Sequence, residues 1–234
     1  MKNNYLDVLA YFGIGGAHPG GFELTKSILS NIKILDSFCV LDVGCGTGQT
    51  ATYLHEEFGC NVTAIDLHPL MVEKAKKRVK PLKQKVKVLE ENVQELSFCS
   101  ETFDFALAES TLSFTDFSAS IHELYRVLKT DSTLIILEMT AEKVIPPSIK
   151  QKISQLYGIN EVLMEEEWRQ QLQLAGFKNI RKLSTPSGLI PTDLIDMIPS
   201  ENIDDKLYDV WDEHALLVQE TQEFLGYRIF TCTK

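Results

Sequence analysis

Two glycine-rich stretches have the residue types needed to hold a nucleotide: GIGGAHPGG at residues 13–21 and GCGTG at residues 44–48. A nucleotide-binding glycine loop follows the first strand of a parallel sheet and opens a helix whose N-terminal amides face the ligand. The second stretch has that setting, because it lies between the apolar run FCVLDV and the helical pattern TATYLHEEF. The first has no strand before it, and Pro19 removes a backbone donor from its middle. We therefore expect residues 44–48 to hold the nucleotide.

An acidic residue stands where the ribose of such a nucleotide would lie. Asp66 ends the apolar run NVTAIDL, which the pattern predicts as the second strand. A carboxylate at that point can accept hydrogen bonds from both ribose hydroxyls. No Lys-Ser or Lys-Thr pair follows the glycines, so the stretch is not a Walker-type phosphate loop. No cluster with metal-ligand spacing stands out, and no metal is predicted.

Strand and helix patterns alternate along the chain, which predicts right-handed βαβ crossovers and a largely parallel sheet. The predicted strands are residues 38–43, 61–67, 85–90, 102–108, 132–139, 179–183 and 227–233. The predicted helices are residues 22–32, 50–58, the stretch from Pro69 to Val79, 118–128, 146–157, 165–175 and 204–225.

The composition argues against nucleic-acid-binding and membrane-spanning proteins. The chain has 234 residues and a formal net charge of −10, so a broad electrostatic footprint for nucleic acid is not expected. Its five cysteines form no CxxC pair, and no apolar stretch approaches the length of about 18 residues that suggests a membrane span. These features predict a reduced cytoplasmic protein without a transmembrane segment. The basic residues between Lys74 and Lys87 are interpreted as a solvated helix face rather than an RNA site.

Five motifs occur in order: VLDVGCGTGQT, VTAIDLHP, LEENVQEL, ETFDFALAEST and ELYRVLKTDSTLIILEMT. With these motifs, residues 35–183 closely resemble the class I S-adenosylmethionine-dependent methyltransferases, of the small-molecule type found in the quinone, sterol and natural-product branch. The resemblance implies an α/β fold, a doubly wound, seven-stranded and mostly parallel Rossmann-like sheet with helical caps at both termini. It also implies an antiparallel last strand, and YRIFTCT resembles that strand.

The resemblance also implies where S-adenosylmethionine, and its product S-adenosylhomocysteine, would lie. The glycine loop would contact the methionine part and the ribose, Asp42 would lie near the amino-acid end, and Asp66 would hold the ribose. Asn92 stands where family members commonly place an acid against the adenine amine, and its carbonyl oxygen could accept from that amine. The implied cofactor-binding residues are Asp42, Gly44, Cys45, Gly46, Gly48, Asp66, Leu67, Asn92, Val93 and Glu109. Cys45 is interpreted as a small packing residue.

A single domain spans residues 1–234 in this interpretation. Residues 1–34 form an N-terminal cap, 35–183 the cofactor-binding core, 184–225 a helical insertion over the substrate pocket, and 226–234 the last strand. The glycine-rich stretch 13–21 is expected to cover the cleft as part of the cap; the alternative is a turn that merely connects two helices. The substrate-pocket candidates are Tyr11, Phe12, His18, Ser110 and Trp211.

The expected function is methyl transfer from S-adenosylmethionine to a small-molecule acceptor by in-line displacement. Positioning carries much of the rate of such a reaction, so no acid or base need be visible; His18 and Glu109 are the candidates for one. The acceptor atom and the oligomeric state stay open. The alternatives are an RNA or protein methyltransferase on the same fold and a non-catalytic cofactor-binding protein. A nicotinamide-dependent oxidoreductase is disfavoured, because the loop is GxGxG and the later motifs match methyltransferases.

Overall fold

A seven-stranded sheet forms the centre of the computed structural model, which describes residues 4–183 and 196–234. The strand order is β3-β2-β1-β4-β5-β7-β6. The strands are β1 (Cys39–Val43), β2 (Asn61–Asp66), β3 (Val86–Glu90), β4 (Phe103–Glu109), β5 (Leu128–Ala141), β6 (Lys178–Lys182) and β7 (Leu225–Thr233). β7 runs antiparallel to both of its neighbours, while β1 to β5 pair in parallel. This confirms the predicted doubly wound sheet with an antiparallel last strand.

The described helices lie on both faces of the sheet and at its carboxyl edge. They are α1 (Tyr5–Phe12), α2 (Gly21–Leu29), α3 (Gln49–Phe58), α4 (Pro69–Arg78), α5 (Phe117–Val127), α6 (Pro147–Tyr157), α7 (Glu165–Leu174) and α8 (Asp205–Thr221). Most bounds lie within a few residues of those expected from periodicity. α8 ends earlier than predicted, because the amide of Phe224 turns back to the carbonyl of Thr221 before β7 begins.

Two apolar cores flank the sheet. On one face, α5 and α7 bury Ile121, Leu124 and Trp168 against the central strands. On the other face, α2, α3 and α4 bury their apolar sides, with Leu54 and Ala75 fully enclosed. Because strands β1 and β4 are covered on both faces, they are mostly apolar rather than alternating, with Asp42 and Asp104 as the polar residues within them. This burial fixes the strand ends that carry the site.

A cap formed by α1, α6 and α8 covers the carboxyl edge. Val8 and Phe12 of α1 pack with Leu207 of α8 in one apolar cluster, and Ile153 of α6 packs with Leu217 of α8 in another. α1 begins with a capping box in which Asn4 and Asp7 satisfy each other's backbone amides. Part of the predicted insertion, residues 184–195, lies outside the described residues.

The stretch 13–16 is held to the segment that precedes α8. The Gly15 amide donates to the carbonyl of Asp196 at 2.9 Å, and the Ile198 amide donates to the carbonyl of Gly13 at 2.9 Å. The Lys74 ammonium is buried and donates to the carbonyls of Tyr11 and Ile198. Arg78 donates to both carboxylate oxygens of Asp196 at 2.6 and 2.7 Å.

The predicted solvated basic face between Lys74 and Lys87 is therefore wrong for Lys74 and Arg78. Both side chains leave that face to satisfy groups of the cap, which lie far away in the sequence. In the described ranges, no helix combines the length and the apolar character needed to cross a membrane.

A buried carboxylate shapes the loop that follows β4. Glu138 of β5 accepts hydrogen bonds from the amides of Thr111, Leu112 and Ser113 and from the Ser113 hydroxyl, at 2.7–3.2 Å. Its side chain is fully buried, and burial raises its pKa to about 7 against the opposing effect of these donors. Glu138 has no local sequence signal, because it lies within the apolar strand β5 and its partners are on the loop after β4.

We predict that Glu138→Ala destabilises the protein by about 3 kcal/mol, because three buried amides and a hydroxyl lose their acceptor. Urea denaturation monitored by circular dichroism measures this loss. Glu223→Ala is the matched control: Glu223 forms an exposed ion pair with Lys143, so its removal should cost less than about 1 kcal/mol. Equal stability losses in the two variants would contradict the structural role of Glu138.

Candidate functional site

The glycine loop leaves β1 at the point where the strand order reverses. Its amide at Cys45 donates to the carbonyl of Ile65 at 2.9 Å, which ties the loop to β2. Gly44 has a φ of +68°, and a Cβ there would overlap the Thr111 side chain. Gly46 has a φ of +53°, and a Cβ there would meet open space. Gly44 thus lets two loops pack together, while Gly46 keeps backbone exposed to the cavity that it lines.

Asp66 joins the loops after β1 and β2. One of its carboxylate oxygens accepts from the Gly46 amide at 2.9 Å, and the other accepts from the His68 amide at 2.8 Å. Burial raises the pKa of Asp66 while these amide donors lower it. A carboxylate has about four lone-pair sites, so each oxygen of Asp66 can still accept one further hydrogen bond.

Asp42 is a buried carboxylate with an unsatisfied oxygen. Only 3% of the residue is exposed, and its Oδ2 has no hydrogen-bond partner among the described residues. Burial raises its pKa well above the ordinary value, and the nearby charges of Glu109 and Asp66 raise it further. A buried polar oxygen without a donor is costly, so this position favours a ligand that carries donors or positive charge.

Glu109 links the sheet to the cap. One oxygen accepts from the Thr25 hydroxyl at 2.6 Å and the other from the Thr50 hydroxyl at 3.0 Å. His18 is buried, and its Nε2 lies 3.1 Å from the Thr25 hydroxyl and 3.5 Å from Glu109 Oε1. Helices α2 and α3 and the stretch 13–21 thus meet at the end of β4. Ser110, the next residue, lines the same cavity with a φ of +50°.

Asn92 and Val93 follow β3 and line the cavity with Leu67. Asn92 Oδ1 already accepts from the backbone amide and the side-chain amide of Gln94, at 3.0 and 3.2 Å. These two bonds use both lone pairs of that oxygen. In this arrangement the local turn at Gln94 competes with an adenine amine for the oxygen, and the predicted acceptance stays a prediction.

One cavity of about 460 Å³ connects these residues to the cap. Its walls on the sheet side are the strand ends and loops just described. Its walls on the cap side form what we call the aromatic chamber, lined by Tyr5, Phe114, Met139, Tyr157, Trp211 and His214. The stretch 16–19, which includes His18, lines the same cavity. Part of the glycine-rich stretch 13–21 thus lies at the cleft, and its role as a cap stays a prediction.

A hydrogen-bonded pair lies within the aromatic chamber. The Tyr157 hydroxyl lies 2.9 Å from His214 Nδ1, and the Tyr5 ring stacks on the His214 ring with a centroid separation of 4.5 Å. Burial lowers the pKa of His214 to about 4 and raises the pKa of Tyr157 above its ordinary range. Both side chains are therefore neutral at pH 7. The sequence analysis missed all three residues, since they come from separate helices without a local motif.

Three predicted site residues lie elsewhere. Phe12 packs against Tyr208 and Trp211, and Tyr11 is partly exposed; neither lines the cavity, because α1 turns Tyr5 and Leu9 toward it instead. Gly48 also lies outside the lining; it begins α3, where a Cβ would lie 3.2 Å from the Ala75 Cβ. The lack of a side chain at Gly48 lets α3 pack closely against α4.

The Cys45 side chain is buried under the loop, and burial together with Asp42 and Asp66 raises its pKa. It is thus a poor nucleophile and fits the packing role expected from the sequence. Across residues 4–183 and 196–234, no group of His, Cys, Asp and Glu side chains could hold a metal ion.

Comparison with known proteins identifies the family. A family profile described as "Methyltransferase domain" matches residues 41–136. An uncharacterized methyltransferase of Bacillus subtilis, YodH, is 36% identical over 99% of this chain and 100% of its own length. The phosphoethanolamine N-methyltransferase of Plasmodium falciparum is 30% identical over 60% of this chain and 55% of its own length.

Among solved structures, phosphoethanolamine N-methyltransferase 2 of Haemonchus contortus, in complex with phosphomonomethylethanolamine and S-adenosylhomocysteine, superposes with a TM-score of 0.77 at 19% identity. The match covers 98% of this chain, which spans only 57% of that enzyme. The fold, the ordered motifs and the full-length relative together show that this chain belongs to the class I S-adenosylmethionine-dependent methyltransferases.

Proposed function

We propose that S-adenosylmethionine lies along the ends of β1, β2 and β4 and that its methyl acceptor lies in the aromatic chamber. The observation that carries this proposal is the single cavity that joins the glycine loop to the chamber. Methyl transfer requires the methyl carbon of the donor and the acceptor atom to meet in line, and a shared cavity allows this. An open surface site, as an RNA or protein substrate would need, has no comparable support.

The residues of the sheet edge fit the cofactor. Asp66 has one accepting site left on each oxygen, which suits two ribose hydroxyls. Asp42 Oδ2 lacks a donor, which suits the ammonium group of the methionine part. The open space at Gly46 leaves room for the ligand against bare backbone. We place the adenine beside Leu67 and Val93 and assign Asn92 a packing role.

When bound, S-adenosylmethionine supplies a methyl group on a positively charged sulfur, for transfer in line to the acceptor with S-adenosylhomocysteine as the leaving group. Asp42, Asp66 and Glu109 give the sheet side of the cavity a negative potential that favours such a cation. Stretch 16–19 and helices α1 and α8 cover the cavity and exclude water.

His18 and Glu109 are the proposed pair for any proton transfer at this site. Glu109 has both oxygens engaged by Thr25 and Thr50, so its first role is to hold α2 and α3 at the cavity. His18 lies beside Thr25, at the contact between stretch 13–21 and the sheet edge.

We further propose that residues 1–234 act as one domain in the cytoplasm. All five cysteine thiols are free, which supports a reducing compartment. The net charge of −10 supports a small-molecule acceptor over nucleic acid.

Cofactor choice can be tested by comparing two ligands. S-adenosylhomocysteine should bind the purified protein at least about tenfold more tightly than NAD, since Asp42 suits its ammonium group, which NAD lacks. Isothermal titration calorimetry measures both affinities under the same conditions. Equal affinities would reject the cofactor site proposed here.

Asp66→Ala should weaken S-adenosylhomocysteine binding by about 1.5–3 kcal/mol, the range for hydrogen bonds to a charged group. Asp104→Ala is the control: this carboxylate accepts from the Cys39 amide and from Lys129 at the opposite edge of the sheet. The control should change stability but not affinity. If folded Asp66→Ala bound the ligand as the wild type does, the ribose would lie elsewhere.

The two loop glycines should separate folding from binding. Gly46→Ala should cost about 1–2 kcal/mol of stability for its positive φ and should lose most S-adenosylhomocysteine affinity, because its Cβ enters the ligand space. Gly44→Ala should lose more stability, because it also displaces Thr111. Thermal unfolding and calorimetry measure the two effects. Full affinity in Gly46→Ala would contradict the placement of the ligand.

A further inference from the structure

The cavity has an uneven charge distribution. The acidic side chains that line it are Asp42, Asp66, Glu91 and Glu109, and no Lys or Arg among the described residues lines it. Of the residues outside the described ranges, 184–195 contain no Lys or Arg and 1–3 contain Lys2. A phosphate group placed beside these carboxylates would meet negative charge that no described Lys or Arg of the lining offsets, which is unfavourable. This charge pattern selects against an anionic acceptor.

The aromatic chamber offers a different kind of contact. Its walls are aromatic and aliphatic, with Leu6, Leu9, Met139 and Val218 beside the rings already named. Burying an apolar acceptor against such walls is favourable at about 25 cal/mol per Å² of surface removed from water. A flat ring system also gains binding free energy from offset or edge-to-face contacts with aromatic side chains.

The Tyr157–His214 pair supplies hydrogen-bonding groups within this apolar chamber. The pair is neutral at pH 7, because burial opposes the charged form of each ring. Tyr157 Oη and the His214 ring each keep capacity for a second hydrogen bond beyond the one they share. Tyr5 stacks on the His214 ring and fixes its plane. A neutral, rigid pair of this kind suits a hydroxyl or carbonyl group rather than an ion.

Building on the proposed function, we infer that the acceptor is a non-ionic, largely apolar molecule bearing a hydroxyl or carbonyl group, and that Tyr157 and His214 position it by hydrogen bonding to that group. The pair acts as a positioning device on the cap. The cofactor residues on the sheet edge are separate from it, so the two can be tested independently.

The test uses the full chain saturated with S-adenosylhomocysteine and three probes: naphthol, naphthalene and naphthyl phosphate. Calorimetry or the fluorescence of the probes gives each dissociation constant. Naphthol should bind at least about tenfold more tightly than naphthyl phosphate, because the phosphate would lie near four acidic side chains with no Lys or Arg among the described lining residues. Naphthyl phosphate binding as tightly as naphthol would overturn the inference about charge.

Tyr157→Phe tests the positioning pair. It removes one hydroxyl and should weaken naphthol binding about two- to tenfold, the effect of one hydrogen bond. Affinity for naphthalene and for S-adenosylhomocysteine should stay within about twofold of wild type, which a general loss of structure would not allow. Tyr208→Phe is the matched control, since Tyr208 is exposed on α8 and lies outside the cavity lining.

The outcomes separate the two proposals. Failure of the wild type to bind S-adenosylhomocysteine would remove the proposed cofactor site itself. Normal S-adenosylhomocysteine binding, with naphthol affinity unchanged in Tyr157→Phe or lowered equally for naphthalene, would overturn only the role of Tyr157 and His214.

Discussion

Parallel pairing of β1 with both β2 and β4 is the constraint on which the site depends. Parallel strands place their carboxyl ends at one edge of the sheet, and the chain crosses to opposite sides after β1. Asp42, Asp66 and Glu109 therefore converge although they are far apart in the sequence. Asp66 then binds the amides of Gly46 and His68 and holds the two loops in register. The cap can close a cavity only because this edge is already rigid.

This convergence has an electrostatic cost that explains the chemistry we propose. Asp42 is buried beside two other carboxylates, and its pKa is raised by burial and by both of them. One of its oxygens has no donor within the described part of the chain. A ligand with positive charge and donor groups relieves both problems. A methyl donor with a charged sulfur and an ammonium group meets that requirement, whereas a second anion in the cavity would increase the repulsion.

Sequence patterns predicted those elements and residues whose signal lies within a short stretch of the chain. Hydrophobic periodicity predicted the strands to within a few residues. The position of the loop after the first strand, and of Asp66 at the end of the second, identified the rest. Partners brought together by the cap had no such signal. Tyr157 and His214 lie on different helices, and Lys74 satisfies carbonyls of Tyr11 and Ile198 that only the folded chain brings near.

The sequence-based errors also have local physical causes. Phe12 was expected in the pocket, but the turn of α1 directs it to α8. Asn92 was expected to accept from adenine, which stays a prediction, and in the folded chain Gln94 donates to the same oxygen. In both cases the residue type was suitable, and the phase of a helix or a neighbouring donor decided its role.

A crystal structure of the protein with S-adenosylhomocysteine tests the central claim most directly. The account predicts one ribose hydroxyl within hydrogen-bond distance of each Asp66 oxygen and a donor of the ligand on Asp42 Oδ2, with the sulfur facing the aromatic chamber. Ligand density elsewhere, or a sulfur that faces away from Tyr157 and His214, would contradict it.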